Sequence, residues 1–118
     1  MSKENSRIAL GQYPTPAWAA AAIVRKNFSH LTGTDFVVEP TCGPGRFLQA
    51  IPAHVPAMGI EIDPSLAQQA RELTGRRVVT GDFFDIEVEE RPTLVLGNPP
   101  FQTKFIERLL DRVHGMLM

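Results

Sequence analysis

Phe36-Val37-Val38-Glu39-Pro40-Thr41-Cys42-Gly43-Pro44-Gly45-Arg46-Phe47-Leu48 begins on an apolar run, passes an acid and a proline, and crosses two glycines into a second apolar set. It reads as a buried strand feeding a glycine-rich turn and then a helix. Glycines at 43 and 45 permit unusual backbone angles and let a ligand approach the main chain closely, as in mononucleotide-binding strand-turn-helix units. Position 48, where the dinucleotide fingerprint has its third small residue, is Leu. Gly-x-Gly alone is a weak signal, and this departure argues against a nicotinamide cofactor. Taken alone, the turn is equally compatible with a tight strand-to-helix connection that binds nothing.

Working outward, Ala57-Met58-Gly59-Ile60-Glu61 is the next strand pattern, and it ends in an acid followed by Ile62-Asp63-Pro64. A carboxylate at the end of the second strand, roughly 20 residues past a glycine turn, is where nucleoside-binding sheets hold ribose hydroxyls. Glu61 takes that place, while Asp63 reads as a helix N-cap with Pro64 at the first helical position. A third strand, Arg77-Val78-Val79-Thr80, leads into Gly81-Asp82-Phe83-Phe84-Asp85. Asp82 with Phe83 is a candidate pair for an adenine, the acid accepting from its amine and the ring packing on its face. Gly-Asp is also an ordinary turn, and Phe83 or Phe84 an ordinary core residue.

The fourth apolar run, Thr93-Leu94-Val95-Leu96, reaches Gly97 and then Asn98-Pro99-Pro100-Phe101. Proline fixes φ and lacks a backbone donor, so Pro99 and Pro100 stiffen the loop and leave carbonyls as acceptors. The exocyclic amine of adenine is a poor nucleophile because its lone pair is delocalised into the ring. A site that activates it must accept from both amine protons, which the Asn98 side-chain oxygen and the Pro99 carbonyl can do, with Phe101 stacked on the ring. A plain Pro-Pro turn after a strand is the bland alternative.

The order of these pieces resembles the class I S-adenosylmethionine-dependent methyltransferases, and within them the adenine-N6 DNA methyltransferases whose cofactor motifs precede the catalytic one. The match runs from about Gly11 to Phe101, beginning with Gln12-Tyr13-Pro14-Thr15-Pro16. The resemblance implies that Tyr13 and Thr15 help hold the methionine moiety of S-adenosylmethionine and that Glu39, Cys42, Gly43 and Gly45 line its binding turn. It implies that Glu61 takes the ribose hydroxyls, that Ile62 and Phe83 sandwich the cofactor adenine, and that Asp82 accepts from its amine. Asn98, Pro99, Pro100 and Phe101 would form the catalytic loop for methyl transfer to adenine N6 in DNA, as in restriction-modification. Methylation of a protein glutamine or an RNA base, or a cofactor-binding module inactive on its own, are the alternatives.

Helices complete the layout at residues 16–28, capped by Thr15, at 46–51, at 64–74 with Gly75 as stop, and at 103–114. The last is expected to bury Phe105, Ile106, Leu109, Leu110 and Val113 at helical spacing. Strands alternating with helices imply a Rossmann-like α/β sheet, mostly parallel, with helices on both faces and ligands at the carboxyl ends of the strands. The expected domains are an N-terminal arm at 1–10 and the cofactor domain at 11–118. About four strands make the sheet incomplete for the family, so DNA contacts are expected from missing or partner-supplied regions, with a completing chain or self-association at the fourth strand. A net charge of −1 gives no electrostatic signature of a nucleic-acid binder, and the basic groups, including Arg7, Arg25, Lys26, Arg76, Arg77 and Lys104, read as solvated surface. A single Cys excludes an internal disulfide, and no signal peptide or long apolar span is visible, which points to the cytoplasm and away from membranes. His30, His54 and His114 have no ligand spacing, so no metal is expected.

Overall fold

The computed structural model describes residues 15–98 and 103–117. The N-terminal arm at 1–10 and the site candidates Tyr13, Pro99, Pro100 and Phe101 lie outside the described residues. Four strands form one sheet: β1 (Val37–Glu39), β2 (Ala57–Glu61), β3 (Arg77–Thr80) and β4 (Leu94–Val95). Their order is β3-β2-β1-β4 and every adjacent pair is parallel. Parallel neighbours need crossover connections; α2 (Arg46–Ala50) lies between β1 and β2 and α3 (Pro64–Thr74) between β2 and β3, while α1 (Ala17–Asn27) precedes β1 and α4 (Thr103–Leu117) follows β4.

Both faces of the sheet are covered, which explains why β1 reads as a continuous apolar run rather than an alternating one. Val37 packs with Leu48, Ile51, Ala67 and Ala70 of the α2–α3 side. Its neighbour Val38 points the other way, into a cluster with Met58, Ile60, Phe83 and Leu109 of α4. Buried Ala20 and Val24 of α1 close over Phe47 of α2, with Leu96 beside them.

Local chemistry sets the helix ends. Asp63 accepts from the backbone N–H of Ser65 at 2.9 Å and caps α3, and Gly75 ends the helix in the left-handed conformation. The expected Thr15 cap on α1 is not formed: Pro16 occupies the N-cap position, one residue past Thr15, and no side chain caps the helix; the Thr15 hydroxyl instead accepts from Asn98. Leu110 was expected in the core and is instead 61% exposed. The sheet-facing stripe of α4 is Phe105, Leu109, Val113 and Met116, and Leu110 falls one position round the helix from Leu109.

Two arginines do structural work that composition conceals. Arg76, expected to be solvated, donates to the carbonyls of Val55, Ile51 and Pro52 at 2.7, 3.0 and 2.8 Å, closing the loop after α2. Its partial burial lowers its pKa. Arg71 donates to the Val78 carbonyl and the Thr80 hydroxyl of β3 at 2.9 and 2.8 Å. The exposed edge of that strand is thereby occupied by a side chain, one way of blunting an edge. No helix among the described residues is long and apolar enough to cross a membrane.

Candidate functional site

The glycine turn between β1 and α2 is tied to the sheet by the Cys42 N–H, which donates to the Ile60 carbonyl at 2.9 Å. Gly43 and Gly45 have φ of 55° and 92°, a region that residues with a Cβ rarely adopt. At Gly45 there is a second constraint, since a Cβ there would lie 3.1 Å from Ala70 Cβ and 3.2 Å from Thr74 Cγ2. The turn therefore packs directly on α3, with Gly43 and Gly45 both buried.

Below the turn, the Cys42 side chain is 4% exposed and points into the core. Within the turn its thiol donates to the Gly43 carbonyl at 3.6 Å. Burial and the neighbouring acids Glu39 and Glu61 push its thiol pKa up, so it is inert as a thiolate. Its position depends on Gly59 of β2, where a Cβ would come within 2.6 Å of Leu48 Cδ1 and 2.8 Å of Cys42 Sγ. Nothing in the sequence singled out Gly59. A glycine inside a strand pattern was the available signal for such a close approach.

Two carboxyls stand at the ends of β1 and β2, and they are held differently. In Glu61, Oε1 accepts from the Gly43 N–H at 2.9 Å and Oε2 from the Asp63 N–H at 2.8 Å. Each oxygen of a carboxylate has more than one acceptor site, so this arrangement still permits a ligand hydroxyl. Glu39 is 2% exposed, and its Oε1 has no hydrogen-bond partner among the described residues. Desolvation, opposed by a hydrogen bond from the Leu48 backbone and reinforced by the charge of Glu61, raises its pKa well above the usual carboxyl range. The buried Thr41 hydroxyl is likewise without a hydrogen-bond partner among the described residues.

Beside Glu61 lies a cavity of about 90 Å³ whose walls include Thr41, Glu61, Ile62, Asp82, Phe83 and Phe105. Four of these six are candidates from the sequence, brought together from the ends of β2 and β3. Ile62 is 62% exposed at the mouth, while Phe83 is 3% exposed and belongs both to the core and to the cavity wall. Asp82 Oδ1 accepts from the Phe84 N–H at 2.9 Å, so the acid also organises its own turn. Phe105 and Thr41 were not singled out as site residues. Phe105 reads as a core residue of α4, and only the packing of α4 brings it to the cavity, where its ring meets Phe84 edge-on at 5.4 Å. Arg108 covers the same Phe84 ring at 4.0 Å, fastening α4 to this loop. A larger open groove of about 900 Å³ runs between residues 87–92 and the end of α4, lined by none of the described candidates.

On the opposite side of β1, Gly97 brings the end of β4 against Glu39, with its Cβ direction 3.5 Å from Glu39 Cγ. Asn98 follows, and its Nδ2 donates to Thr15 Oγ1 at 3.1 Å. A motif at the start of the chain and one near its end thus meet at the same end of the sheet. Among the described residues, no group of three or more His, Cys, Asp or Glu could hold a metal ion.

Comparison with known proteins agrees with this geometry. A family model described as "Uncharacterised methyltransferase family (DUF6094)" matches residues 2–109. The Type II methyltransferase M.CvrRI of a Paramecium bursaria Chlorella virus is 34% identical over 58% of this chain and 19% of its own length. The Type II methyltransferase M.NspV of a Nostoc species is 26% identical over 92% of this chain and 26% of its own. The chain therefore spans about a fifth to a quarter of these relatives. An RNA methyltransferase from Salinibacter ruber, solved in complex with S-adenosyl-L-homocysteine, superposes with a TM-score of 0.63 at 25% identity, covering 85% of this chain and 71% of that one.

Proposed function

The chain belongs to the Uncharacterised methyltransferase family (DUF6094), and from that premise we propose that its carboxyl-end cleft holds S-adenosylmethionine and offers the methyl to an amine at Asn98. The observation that carries this reading is the cavity in which Glu61, Ile62, Asp82 and Phe83 converge, next to the glycine turn. Its walls suit a nucleoside. Ile62 and Phe83 supply two apolar faces, Asp82 an acceptor for an adenine amine, and Glu61 acceptors for ribose hydroxyls.

The methionine end would lie over Gly43 and Gly45, with Glu39, Tyr13 and Thr15 around it and Cys42 contributing its backbone. The fit has an independent sign. Buried polar groups are nearly always hydrogen-bonded, and the Glu39 Oε1 and Thr41 hydroxyl atoms lack partners among the described residues at this turn. A cationic ammonium beside Glu39 would satisfy the former.

When bound, the cofactor supplies an electrophilic methyl on a sulfonium. Asn98 and Pro99 would accept from the two protons of the acceptor amine, hold it near tetrahedral geometry, and stabilise the positive charge that grows on nitrogen as the nitrogen–carbon bond forms and the carbon–sulfur bond breaks. Phe101 would stack on the base. We assign the acceptor as adenine N6 in DNA on the strength of Asn98-Pro99-Pro100-Phe101. Extruding a base from a duplex costs a few kcal/mol. The net charge of −1 gives no electrostatic signature of DNA contacts that would repay it.

The test is a labelled-methyl assay of the chain on DNA, RNA and protein acceptors. Label on adenine N6 of DNA, lost in Asn98→Ala while calorimetric cofactor binding persists, is the expected result. Label on RNA or on a protein glutamine would reassign the acceptor, and an absence of cofactor binding would overturn the reading altogether.

A further inference from the structure

Net charge is a sum, and along this chain the two signs are separated. Residues 5–34 contain Arg7, Arg25 and Lys26 and no acid, whereas Asp82, Asp85, Glu87, Glu89 and Glu90 crowd into the segment before β4. The overall value of −1 therefore conceals a stretch that is wholly basic.

α1 lies within that stretch. Its inner side is formed by Ala20 and Val24, buried against Phe47. Trp18, Ala21, Ala22 and Arg25 fall on the outer side at helical spacing, with Lys26 beside Arg25. Trp18 is 76% exposed, more than any other large hydrophobic side chain among the described residues, and both cations are exposed as well. The two alanines leave nothing bulky between the indole and the guanidinium, which are about 10 Å apart along the helix axis. Basic residues in a last turn complement the negative end of the helix dipole, and that accounts for Arg25 and Lys26. It gives no account of an indole in water, where Ala would serve the helix better.

The place of this face matters as much as its make-up. α1 starts at the carboxyl edge of the sheet, where the Thr15 hydroxyl accepts from Asn98 at 3.1 Å, and Trp18 stands in the first turn, three residues on. An exposed ring followed by cations is the combination that holds an unpaired nucleic-acid strand, the ring stacking on a base and the cations meeting phosphates.

We propose that the outer face of α1 binds an unpaired nucleic-acid strand, with Trp18 stacked on a base and Arg25 and Lys26 on the phosphates. This rests on the reading that Asn98 faces the acceptor base, since the strand carrying that base then lies beside the first turn of α1. A paired strand hides the faces of its bases in the stack, so Trp18 selects a nucleotide that has left it.

The chain has one Trp, so its fluorescence reports this face alone. The probe is oligothymidine of about 12 nucleotides, because thymine has no exocyclic amine and so does not call on the acceptor site. At low salt it should quench the fluorescence and bind more tightly than a duplex of the same length. Anisotropy of the labelled strand should show affinity weakened about fivefold to a hundredfold in Trp18→Ala and largely kept in Trp18→Phe. Arg25→Ala and Lys26→Ala should each reduce the slope of log affinity against log salt by about 0.7. Dextran sulfate, a polyanion without bases, should leave the fluorescence unchanged. No binding of oligothymidine, unchanged affinity in Trp18→Ala, or equal quenching by dextran sulfate would overturn the proposal. Each of these would leave the methyl-transfer reading standing, because calorimetry with S-adenosylhomocysteine and the labelled-methyl assay test that separately.

Discussion

Glu61 Oε1 accepts a hydrogen bond from the Gly43 backbone N–H at 2.9 Å, so the acid at the end of β2 fastens the glycine turn that follows β1. Its other oxygen accepts from Asp63 N–H at 2.8 Å and orients the start of α3. One buried carboxylate therefore positions both backbone segments that flank the candidate cofactor cleft.

Glu61→Gln separates this role from simple bulk. The amide keeps the size of the side chain but has one acceptor oxygen, so either Gly43 or Asp63 loses its partner and faces an NH2. Leaving a buried donor unpaired costs about 1–3 kcal/mol. Urea unfolding should register that loss, and calorimetry should show cofactor affinity reduced about tenfold or more. A variant as stable as the parent would mean that the two backbone bonds are not held by this side chain.

At Gly59→Ala the added methyl would meet Leu48 Cδ1 at 2.6 Å and Cys42 Sγ at 2.8 Å, distances that require something to move. Overpacking of this kind costs about 1–3 kcal/mol. Trimming the obstruction should recover part of it, so Cys42→Ala combined with Gly59→Ala should be destabilised by less than the sum of the two single changes. Strict additivity in denaturant midpoints would show that Cys42 and Gly59 do not share that space.

Much of this architecture is legible from local pattern. The Val37–Val38 run, the Asp63-Pro64 helix start, the Gly75 stop and the two turn glycines each depend on residues within a few positions, where period, capping and φ preferences act. Four of the cavity walls could be found for the same reason, because strand ends in a parallel sheet converge at one edge. Contacts between distant segments were not legible. Thr15 sits one residue outside the N-cap and meets Asn98, Arg76 leaves the solvent because three loop carbonyls lie within reach, and Phe105 enters the site because α4 packs across β1 and β2. Leu110 shows the limit of periodicity, which identifies an apolar flank but not how wide a strip the sheet covers.

Glu39 should make stability depend on pH in an unusual direction. Its folded-state pKa is raised, chiefly by burial, above an ordinary value of 4.5. The native protein therefore retains a proton that the unfolded chain releases. The stabilisation by this neutral acid is fully present below the unfolded pKa and is lost as pH rises through the folded one, with a limiting slope of about 1.4 kcal/mol per pH unit. Glu39→Gln cannot titrate and should flatten that part of the curve, gaining on the parent as pH rises toward neutrality. Identical pH profiles of urea midpoints for the two proteins would show that Glu39 is ionised in the fold.

Ile62 and Phe83 offer a way to separate binding from folding at the same cavity. Phe83 is 3% exposed and packs against Val38, Met58, Ile60 and Leu109, so Phe83→Ala should remove about 3–5 kcal/mol of stability along with any ligand contact. Ile62 stands across the cavity mouth and is 62% exposed, so the fold gains little from it. An apolar side chain left in water at a strand end is explained if a ligand covers it. Covering about half of an isoleucine side chain is worth about 1 kcal/mol, which is about fivefold in affinity. Ile62→Ala should therefore unfold at nearly the same urea concentration as the parent while binding S-adenosylhomocysteine about fivefold more weakly. The opposite pattern, lost stability with unchanged affinity, would place Ile62 in the core of the fold and leave the adenine site without its outer wall.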